Sequence, residues 1–151
     1  MLNGELRVRR LTAVDAAALS GLCAEHAAYE GATTPPAGHA VALASWLRSQ
    51  RIVAFGAADA IGVLRGYASL TVEVSTLRAA AFAHLDCLYL SEAFRGAGHG
   101  RLLMKAVRDH ARCAGLAVME WQTPAWNAPA QRFYERQGAT GSVKLRYFMA
   151  L

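Results

Sequence analysis

Cysteine is scarce in this sequence of 151 residues, with one residue each at positions 23, 87 and 113. None of the three belongs to a CxxC pair, and their odd number and wide spacing argue against a disulfide framework and against a zinc site. We therefore expect no metal cofactor. Cys23 and Cys113 fall within segments of helical pattern, where a free cysteine most often packs as a small residue of the core. We predict that both are buried.

Long apolar runs are also lacking: no stretch approaches 18 consecutive apolar residues, so the sequence predicts no transmembrane helix. Residues 1–7 have no basic region followed by an apolar one, so we expect no secretory signal and a cytoplasmic protein. Repeats and low-complexity tracts are absent. With a hydrophobic fraction of 54%, residues 1–151 are expected to form a single domain around one core.

Charged residues are few, at 18% of the chain, and they leave a formal net charge of +5. This charge is compatible with a nucleic-acid surface, with an acidic ligand, or with no specific partner. Five basic residues gather in one region: Arg95, Arg101, Lys105, Arg108 and Arg112. A groove for a polyphosphate cofactor explains this excess with fewer assumptions than DNA binding, and no known nucleic-acid-binding motif is present. We expect neither a nucleic-acid nor a membrane partner.

Hydrophobic periodicity and turn residues divide the chain into ten elements. Strand patterns cover residues 5–11, 51–57, 61–75, 80–90, 117–122 and 142–150. Helical patterns cover residues 13–29, with Thr12 as N-cap, then about 39–49, 99–114, and a last helix that Asn127 or Ala128 caps and Gly138 ends. The order β-α-α-β-β-β-α-β-α-β predicts an α/β (α+β) fold, a mixed sheet with helices on its faces.

A glycine-rich segment lies between the strand at 80–90 and the helix at 99–114. It reads Arg95-Gly96-Ala97-Gly98-His99-Gly100. Glycines let the backbone approach phosphates closely, and the free amides of a helix N-terminus attract anions. The dinucleotide fingerprint fails because position 101 is arginine rather than glycine, and the Walker motif fails because Gly100 is followed by Arg-Leu. A glycine-rich turn without a ligand is the alternative.

Two longer motifs resemble those of the GNAT acyltransferases. The strand residues 86–90, followed by Arg95-x-x-Gly98-x-Gly100, resemble the acetyl-CoA motif of that family. Residues 126–139 resemble its second motif, N-x-x-A-x-x-F-Y-x-x-x-G-A/F. The resemblance covers essentially the whole chain. It implies a mostly antiparallel sheet of about six to seven strands, about four helices, and acetyl-CoA as co-substrate.

Shorter matches resemble the diamine and polyamine acetyltransferase branch of the family. They are Leu85-Asp86, where that branch has Leu-Glu, and residues 25–30, which end in Tyr-Glu. The implied acceptor is a primary amine of a small molecule, such as a diamine, polyamine, amino acid or aminoglycoside. Acetylation of a protein lysine or N-terminus is a second reading, and an acyl-CoA sensor without turnover is a third. A homodimer is common in families of this kind.

The resemblance also assigns roles on the donor side. Residues 95–101 would hold the cofactor's pyrophosphate: Arg95, Gly96, Ala97, Gly98, His99, Gly100 and Arg101. The backbone of Leu88, Tyr89 and Leu90 would bind pantetheine, with the Leu88 N–H as oxyanion donor. Ala130 would contact the cofactor. Open alternatives are surface charges for the two arginines, and helix capping rather than pantetheine binding for Asn127. At His99 the backbone is expected to matter more than the imidazole.

Acetyl transfer to an amine requires proton movements, because an alkylammonium, with a pKa of ~10.4, has no lone pair at neutral pH. By the resemblance, Tyr134 is the candidate general acid beside the CoA sulfur, with a core tyrosine as the alternative. Asp86 is the candidate base, acting through water, or a residue that only orients substrate. Acceptor binding falls to Tyr29 and Glu30, together with Asp86, and a solvated end of the first helix is an equal alternative for Tyr29 and Glu30. Further acceptor-side candidates are Glu25, His84 and Glu120, of which the last two are expected to be structural.

Overall fold

The computed structural model describes residues 4–151. The chain divides into a larger compact unit that ends at Trp121 and a smaller unit, Gln122–Leu151. The described elements of the larger unit are β1 Arg7–Arg10, α1 Ala16–Glu30, α2 His39–Arg48, β2 Val53–Ala58, β3 Leu64–Ser75, β4 Ala80–Leu90, α3 His99–Cys113 and β5 Met119–Glu120. The smaller unit contributes α4, Ala128–Arg136.

The strands form one sheet in the order β1-β2-β3-β4-β5. The first three pairs are antiparallel, and β4 pairs with β5 in parallel. This arrangement confirms the predicted mixed, mostly antiparallel sheet, and the four described α-helices agree with the predicted number. The sheet has five strands among the residues that the structure describes, fewer than the six to seven expected.

The missing strand is the one predicted over residues 142–150, and that prediction is wrong for the described chain. Residues 141–151 form neither helix nor strand and are exposed throughout. The strand predicted at 117–122 shrinks to the two residues of β5 for a related reason. A period-2 apolar pattern becomes a strand only where a neighbour completes its hydrogen bonds. Among the residues that the structure describes, β5 has a strand neighbour on one side alone.

Helix α1 begins one turn later than predicted. Thr12 starts the segment, but Ala13–Asp15 form a 3₁₀ turn before the α-helix proper. The Asp15 carboxylate accepts the Thr12 backbone N–H at 2.9 Å, as in a capping box. Gly31, at φ 66°, then ends the helix in the left-handed conformation that glycine tolerates best.

Within the larger unit, α1 and α2 cover one face of the sheet and α3 covers the other. Ala54 of β2 belongs to the core cluster that includes residues of α1 and α2. Its neighbour Phe55 points the other way and contacts His110 of α3, with ring centroids 5.9 Å apart. The buried stripe of α3 is Leu103, Met104, Val107 and Ala111. Cys23 of α1 is half-buried and packs against the core cluster. Cys113 is exposed at the last position of α3, so the predicted burial of Cys113 is wrong.

No helix among residues 4–151 combines the length and apolarity needed to cross a bilayer. Within the same residues, no group of three or more His, Cys, Asp or Glu side chains is arranged to hold a metal ion.

Candidate active site

The glycine loop opens onto the first turn of α3. Gly96 and Gly98 have φ values of 81° and 84°, in the region that favours glycine. Apart from the glycine itself and its two chain neighbours, no described residue has an atom within 4 Å of the position that a Cβ would take at either residue. Gly98 is the N-cap, so the amides of His99 and Gly100 fall in the first turn, where a helix offers them no carbonyl acceptor. The loop therefore fits a pyrophosphate, whose oxygens accept such amides.

His99 closes this loop with its side chain. The imidazole is buried, and its Nδ1 lies 3.0 Å from the carbonyl oxygen of Phe94. Because a carbonyl only accepts, Nδ1 carries the proton. The sequence pattern pointed to the His99 backbone alone, and nothing in it indicated this bond. The side chain ties the two ends of residues 94–99 together.

Arg95 turns away from the helix N-terminus toward α1. Its Nε donates to the Leu90 carbonyl at 2.8 Å, and its guanidinium carbon lies 4.4 Å from the centre of the Tyr29 ring. Arg101 is exposed on the first turn of α3. The phosphate-binding role of both arginines stays a prediction, with Arg101 better placed for it.

Strand β4 has a free edge beside the loop. It pairs with β5 only at Ala83 and His84, whereas its pairing with β3 continues to Leu90. Among the described residues, no strand lies beside residues 85–90 on the β5 side. Leu88, Tyr89 and Leu90 lie on this stretch. An extended ligand such as pantetheine adds to a free strand edge through its amides.

Asp86 sits at a bulge in β4. Ser69 of β3 pairs with Cys87 and Leu70 pairs with Leu85, so Asp86 has no partner in the ladder. Bulges re-aim side chains and are frequent next to active sites. The Asp86 carboxylate is exposed, and its Oδ2 lies 3.7 Å from the Cys87 sulfur.

The thiols near Asp86 are held neutral. Burial, and then the negative charge of Asp86, raises the pKa of Cys87 to about 12. Burial raises the pKa of the Cys23 thiol on α1, a hydrogen bond with Tyr67 opposes this, and the charge of Asp86 adds to it. A thiolate is the reactive form of cysteine, so neither residue is a nucleophile at neutral pH.

A cluster of polar and aromatic side chains joins α1 to β3 and β4. We call it the α1–β4 cluster; its members are Glu25, His26, Tyr29, Glu30, Tyr67 and Tyr89. It contains all three acceptor-side candidates predicted on α1, which are Tyr29, Glu30 and Glu25. It also contains two residues that the sequence patterns did not single out for function, His26 and Tyr67. For His26 a signal was present, since it stands four residues before Glu30 on the same helix.

His26 is the centre of the α1–β4 cluster. Its Nε2 lies 3.2 Å from the Glu30 carboxylate, and its Nδ1 lies 3.0 Å from the Tyr67 hydroxyl. The ring stacks on Tyr89 with centroids 5.0 Å apart. A carboxylate only accepts, so Nε2–H donates to Glu30. Burial raises the pKa of Tyr67, so its hydroxyl stays protonated where it meets Nδ1.

Glu25 lies where the α1–β4 cluster meets the end of β4. Its carboxylate accepts the Ser91 hydroxyl at 2.7 Å and the Tyr89 hydroxyl at 3.4 Å. Burial, and then the charge of Glu25, raises the pKa of Tyr89. Two carboxylates, Glu25 and Glu30, thus stand among tyrosine rings beside the end of β4. Such surroundings attract a cation, and they already hold the guanidinium of Arg95, whose carbon lies 4.4 Å from the centre of the Tyr29 ring and 5.4 Å from that of Tyr89.

The smaller unit carries the second motif on α4. The Asn127 Oδ1 accepts the Ala130 N–H at 3.3 Å, so Asn127 is the N-cap, as one of its two predicted roles required. The ring of Tyr134 meets that of Phe133 edge-on, with centroids 5.4 Å apart. The pantetheine contact of Asn127, the cofactor contact of Ala130 and the acid role of Tyr134 stay predictions.

Glu120 and His84 are paired neighbours of β5 and β4. The Glu120 carboxylate forms an ion pair with Arg78 at 2.5 Å on the surface. This pairing favours the structural role expected for Glu120.

Comparisons with known proteins identify the family and the fold of this chain. The profile of the Acetyltransferase (GNAT) family matches residues 20–139. The L-ornithine N5-acetyltransferase NATA1 of Arabidopsis thaliana is 36% identical over 56 residues, which are 37% of this chain and 25% of that protein. The chain thus matches about a quarter of this relative's length.

Two solved structures illustrate the likeness of fold. AAC(6')-Iy, in complex with the bisubstrate analogue CoA-S-monomethyl-acetylneamine, superposes with a TM-score of 0.84 at 16% identity, covering 98% of this chain and 99% of that one. Ribosomal-protein-alanine N-acetyltransferase from Brucella melitensis biovar Abortus 2308 gives a TM-score of 0.73 at 19% identity, covering 97% and 99%.

The profile match defines a protein of the acyltransferase class. The match over residues 20–139 makes the assignment specific: this chain belongs to the GNAT acetyltransferase family.

Proposed function

We propose that this chain transfers the acetyl group of acetyl-CoA to a primary amine of a small cationic molecule. The α1–β4 cluster carries the proposal, because it places the carboxylates of Glu25 and Glu30 among tyrosine rings beside β4. The bulge at Asp86 lies on the same strand. Carboxylates compensate the charge of an ammonium and aromatic faces attract it, so the cluster suits a cationic acceptor.

On the donor side, the amides of residues 96–100 and the side chain of Arg101 would bind the pyrophosphate of acetyl-CoA. Pantetheine would extend along the free edge of β4 at Leu88, Tyr89 and Leu90. The Leu88 N–H would donate to the thioester carbonyl oxygen, where negative charge develops during attack. A donor of this kind is typically worth about 10²–10³ in kcat.

On the acceptor side, the ammonium must first lose a proton. Asp86 accepts it through a water molecule, and the freed lone pair attacks the thioester carbon. The C–N bond forms, the C–S bond breaks, and the departing thiolate takes a proton from the hydroxyl of Tyr134. A positioned acid or base of this kind contributes typically about 10²–10⁴ in rate.

The acceptor class has support from two relatives. NATA1 is named for ornithine, a small molecule with two amines, and AAC(6')-Iy was solved with an acetylneamine derivative joined to CoA. The alternative acceptor is a protein lysine or N-terminus, which the ribosomal-protein-alanine acetyltransferase of the same fold represents. A third reading is an acyl-CoA sensor, which binds acetyl-CoA and releases no thiol.

The test is a free-thiol release assay with acetyl-CoA against diamines, polyamines, amino acids, aminoglycosides and lysine peptides. We expect the wild type to turn over a diamine, polyamine or other small cationic amine with the highest kcat/KM. Tyr134→Phe should lower kcat about 10²-fold or more while acetyl-CoA binding, measured by calorimetry, is retained. Asp86→Asn should also lower kcat, because an amide cannot accept the proton.

Tyr147→Phe is the matched control, since it removes a hydroxyl from an exposed tyrosine outside the motif. It should leave kcat unchanged. If only the peptides cause thiol release, the acceptor is a protein and not a small molecule. Binding of acetyl-CoA without thiol release for any amine would establish the sensor instead, and an unchanged kcat in Tyr134→Phe would remove Tyr134 from the mechanism.

A further inference from the structure

The guanidinium of Arg95 lies against two tyrosine rings of the α1–β4 cluster. Its carbon is 4.4 Å from the centre of the Tyr29 ring and 5.4 Å from that of Tyr89. The two ring centres are 6.3 Å apart and the ring planes are tilted by 55°, so the rings form an open angle between α1 and β4. Aromatic faces attract a positive charge that lies over them. The two rings therefore form a cation site, and Arg95 occupies it.

Two carboxylates lie next to these rings. Glu25 accepts the Tyr89 hydroxyl at 3.4 Å. Glu30 is bonded to His26, whose ring stacks on Tyr89. Arg95 brings one positive charge to this group of two negative ones. If the guanidinium leaves, the group becomes more negative by one charge, and its attraction for another cation rises.

Arg95 differs from two other arginines that lie over aromatic rings. The guanidinium carbons of Arg65 and Arg78 are 5.2 and 4.8 Å from the centres of their rings, and each side chain is also paired with a carboxylate. Arg95 forms no ion pair with any residue that the structure describes. Its Nε donates to the neutral carbonyl oxygen of Leu90. The charge of Arg95 is therefore available to an anion.

The pyrophosphate of the proposed cofactor competes with the rings for Arg95. The glycine loop that would bind it begins at Gly96, the next residue in the chain. Arginine binds phosphate through paired, charge-assisted hydrogen bonds, which are roughly twice as strong as bonds between neutral groups. The arginine side chain has several staggered rotamers, so rotation about its own bonds moves the guanidinium. A bound pyrophosphate thus offers Arg95 a stronger partner than Leu90.

We propose that the cationic group of the acceptor binds on the faces of Tyr29 and Tyr89, in the place that Arg95 occupies, and that pyrophosphate draws Arg95 out of it. The inference rests on the proposed function, from which it takes both ligands. Pyrophosphate and the cation then bind with positive coupling, because the first empties the site of the second. Such coupling is reciprocal and is typically about 5–150-fold.

Calorimetric titration with agmatine tests the coupling, at about 0.15 M salt to screen long-range attraction between the ligands. Agmatine carries the same guanidinium as Arg95. ADP supplies a pyrophosphate without pantetheine or an acetyl group, so nothing reacts. Saturating ADP should lower the Kd of the wild type for agmatine about fivefold or more. Arg95→Gln should bind agmatine more tightly than the wild type does without ADP, and ADP should leave the Kd of this variant unchanged.

Arg78→Gln is the matched control, because it also removes one positive charge and one guanidinium from an aromatic face. It should keep the wild-type Kd for agmatine and its dependence on ADP. The inference is wrong if ADP leaves the Kd of the wild type unchanged, if Arg95→Gln retains the dependence on ADP, or if Arg95→Gln does not bind agmatine.

NMR on the unmodified protein gives a measurement that does not depend on how the variants fold. Nuclear Overhauser contacts between the Arg95 side chain and the ring protons of Tyr29 should disappear when ADP is saturating. Contacts that persist would mean that Arg95 stays on the rings, and they would overturn the inference.

Acetyl transfer itself is judged separately, by thiol release. If the coupling is found and no amine releases thiol, the proposed transfer is wrong and the shared cation site is retained. If an amine releases thiol and the Kd for agmatine does not depend on ADP, the proposed function is retained and this inference alone is wrong.

Discussion

At the scale of single residues, His26 shows how one side chain organises the acceptor side. Its two ring nitrogens bond in opposite directions, to Glu30 on its own helix and to Tyr67 on β3. The ring also stacks on Tyr89. His26 therefore holds the Glu30 carboxylate at a defined place beside β4, and we assign it as a positioning residue for the cationic acceptor.

His26→Phe tests this assignment, because phenylalanine keeps an aromatic ring for Tyr89 and removes both hydrogen bonds. Hydrogen bonds to charged groups contribute about 1.5–3 kcal/mol, so the KM for the amine should rise about tenfold or more. The KM for acetyl-CoA and kcat should change little. Steady-state kinetics with each substrate varied in turn measures the three values.

His39→Phe is the control for that change, since it removes the bond between His39 and Ser20 that joins α1 to α2. It should cost stability without altering the KM for the amine. Equal increases in both KM values for His26→Phe would contradict a positioning role and indicate general damage to the fold.

At the scale of elements, the junction between β4 and α3 depends on backbone conformation. Gly98 caps α3 at φ 84°, and Gly115 follows the same helix at φ 75°. Beyond the two chain neighbours, a Cβ at either position would meet no described residue within 4 Å. The two glycines therefore have similar backbone strain and similar free space around them, and they differ in the end of α3 at which they lie.

Gly98→Ala and Gly115→Ala form a matched pair. Each should lower the free energy of unfolding by about 1–2 kcal/mol, because alanine is strained at positive φ. Only Gly98→Ala should raise the KM for acetyl-CoA, by several-fold, since relief of that strain re-aims the amides of the first turn. Urea unfolding and steady-state kinetics measure the two effects. If the two variants have the same KM for acetyl-CoA, the loop does not bind the pyrophosphate.

The sequence predicted the ends of helices well where those ends depend on residues that are adjacent in sequence. The Asn127 cap, and the glycines that follow α3 and α4, are local features, and the structure has them near the expected positions. The bulge at Asp86 could not be predicted in the same way. It arises from the register between β3 and β4, which depends on contacts between residues far apart in sequence.

At the scale of the whole molecule, an ion pair joins the edge of the sheet to the start of α1. Two nitrogens of Arg9 on β1 contact the two carboxylate oxygens of Asp15, at 2.7 and 3.0 Å. The Asp15 side chain is largely buried. Hydrogen bonding to Arg9 is the main cause of the lowered pKa of Asp15, and the Thr12 backbone amide and the charge of Arg9 add to it.

This lowered pKa predicts a dependence of stability on pH. A carboxyl whose pKa is lower in the folded state stabilises the fold above its unfolded pKa of about 3.9. That contribution is lost as the pH falls from about 4 through the folded pKa. Asp15→Asn should therefore lower the free energy of unfolding by about 1–3 kcal/mol at pH 7, and the difference from wild type should shrink in acid. Urea unfolding at several pH values measures it.

Asp109→Asn provides the comparison, since Asp109 pairs with Lys105 at 2.5 Å on an exposed helix face. Exposed pairs contribute little, so its effect should stay below about 1 kcal/mol. A constant difference between wild type and Asp15→Asn from pH 7 down to pH 2 would show that the carboxylate charge is not what stabilises the junction.

By itself, the sequence determined the features that are encoded within a few residues. The glycine loop with its positive φ angles, the caps of α3 and α4, and the two family motifs are all local, because a backbone conformation or a cap depends on adjacent side chains. Tertiary structure alone decided the rest. It brought His26 and Tyr67 together, placed Asp86 at a bulge, and left residues 142–150 without a strand. These outcomes depend on which segments, far apart in sequence, pair with one another. A local pattern shows that a segment needs a partner, but it does not show which segment that partner is.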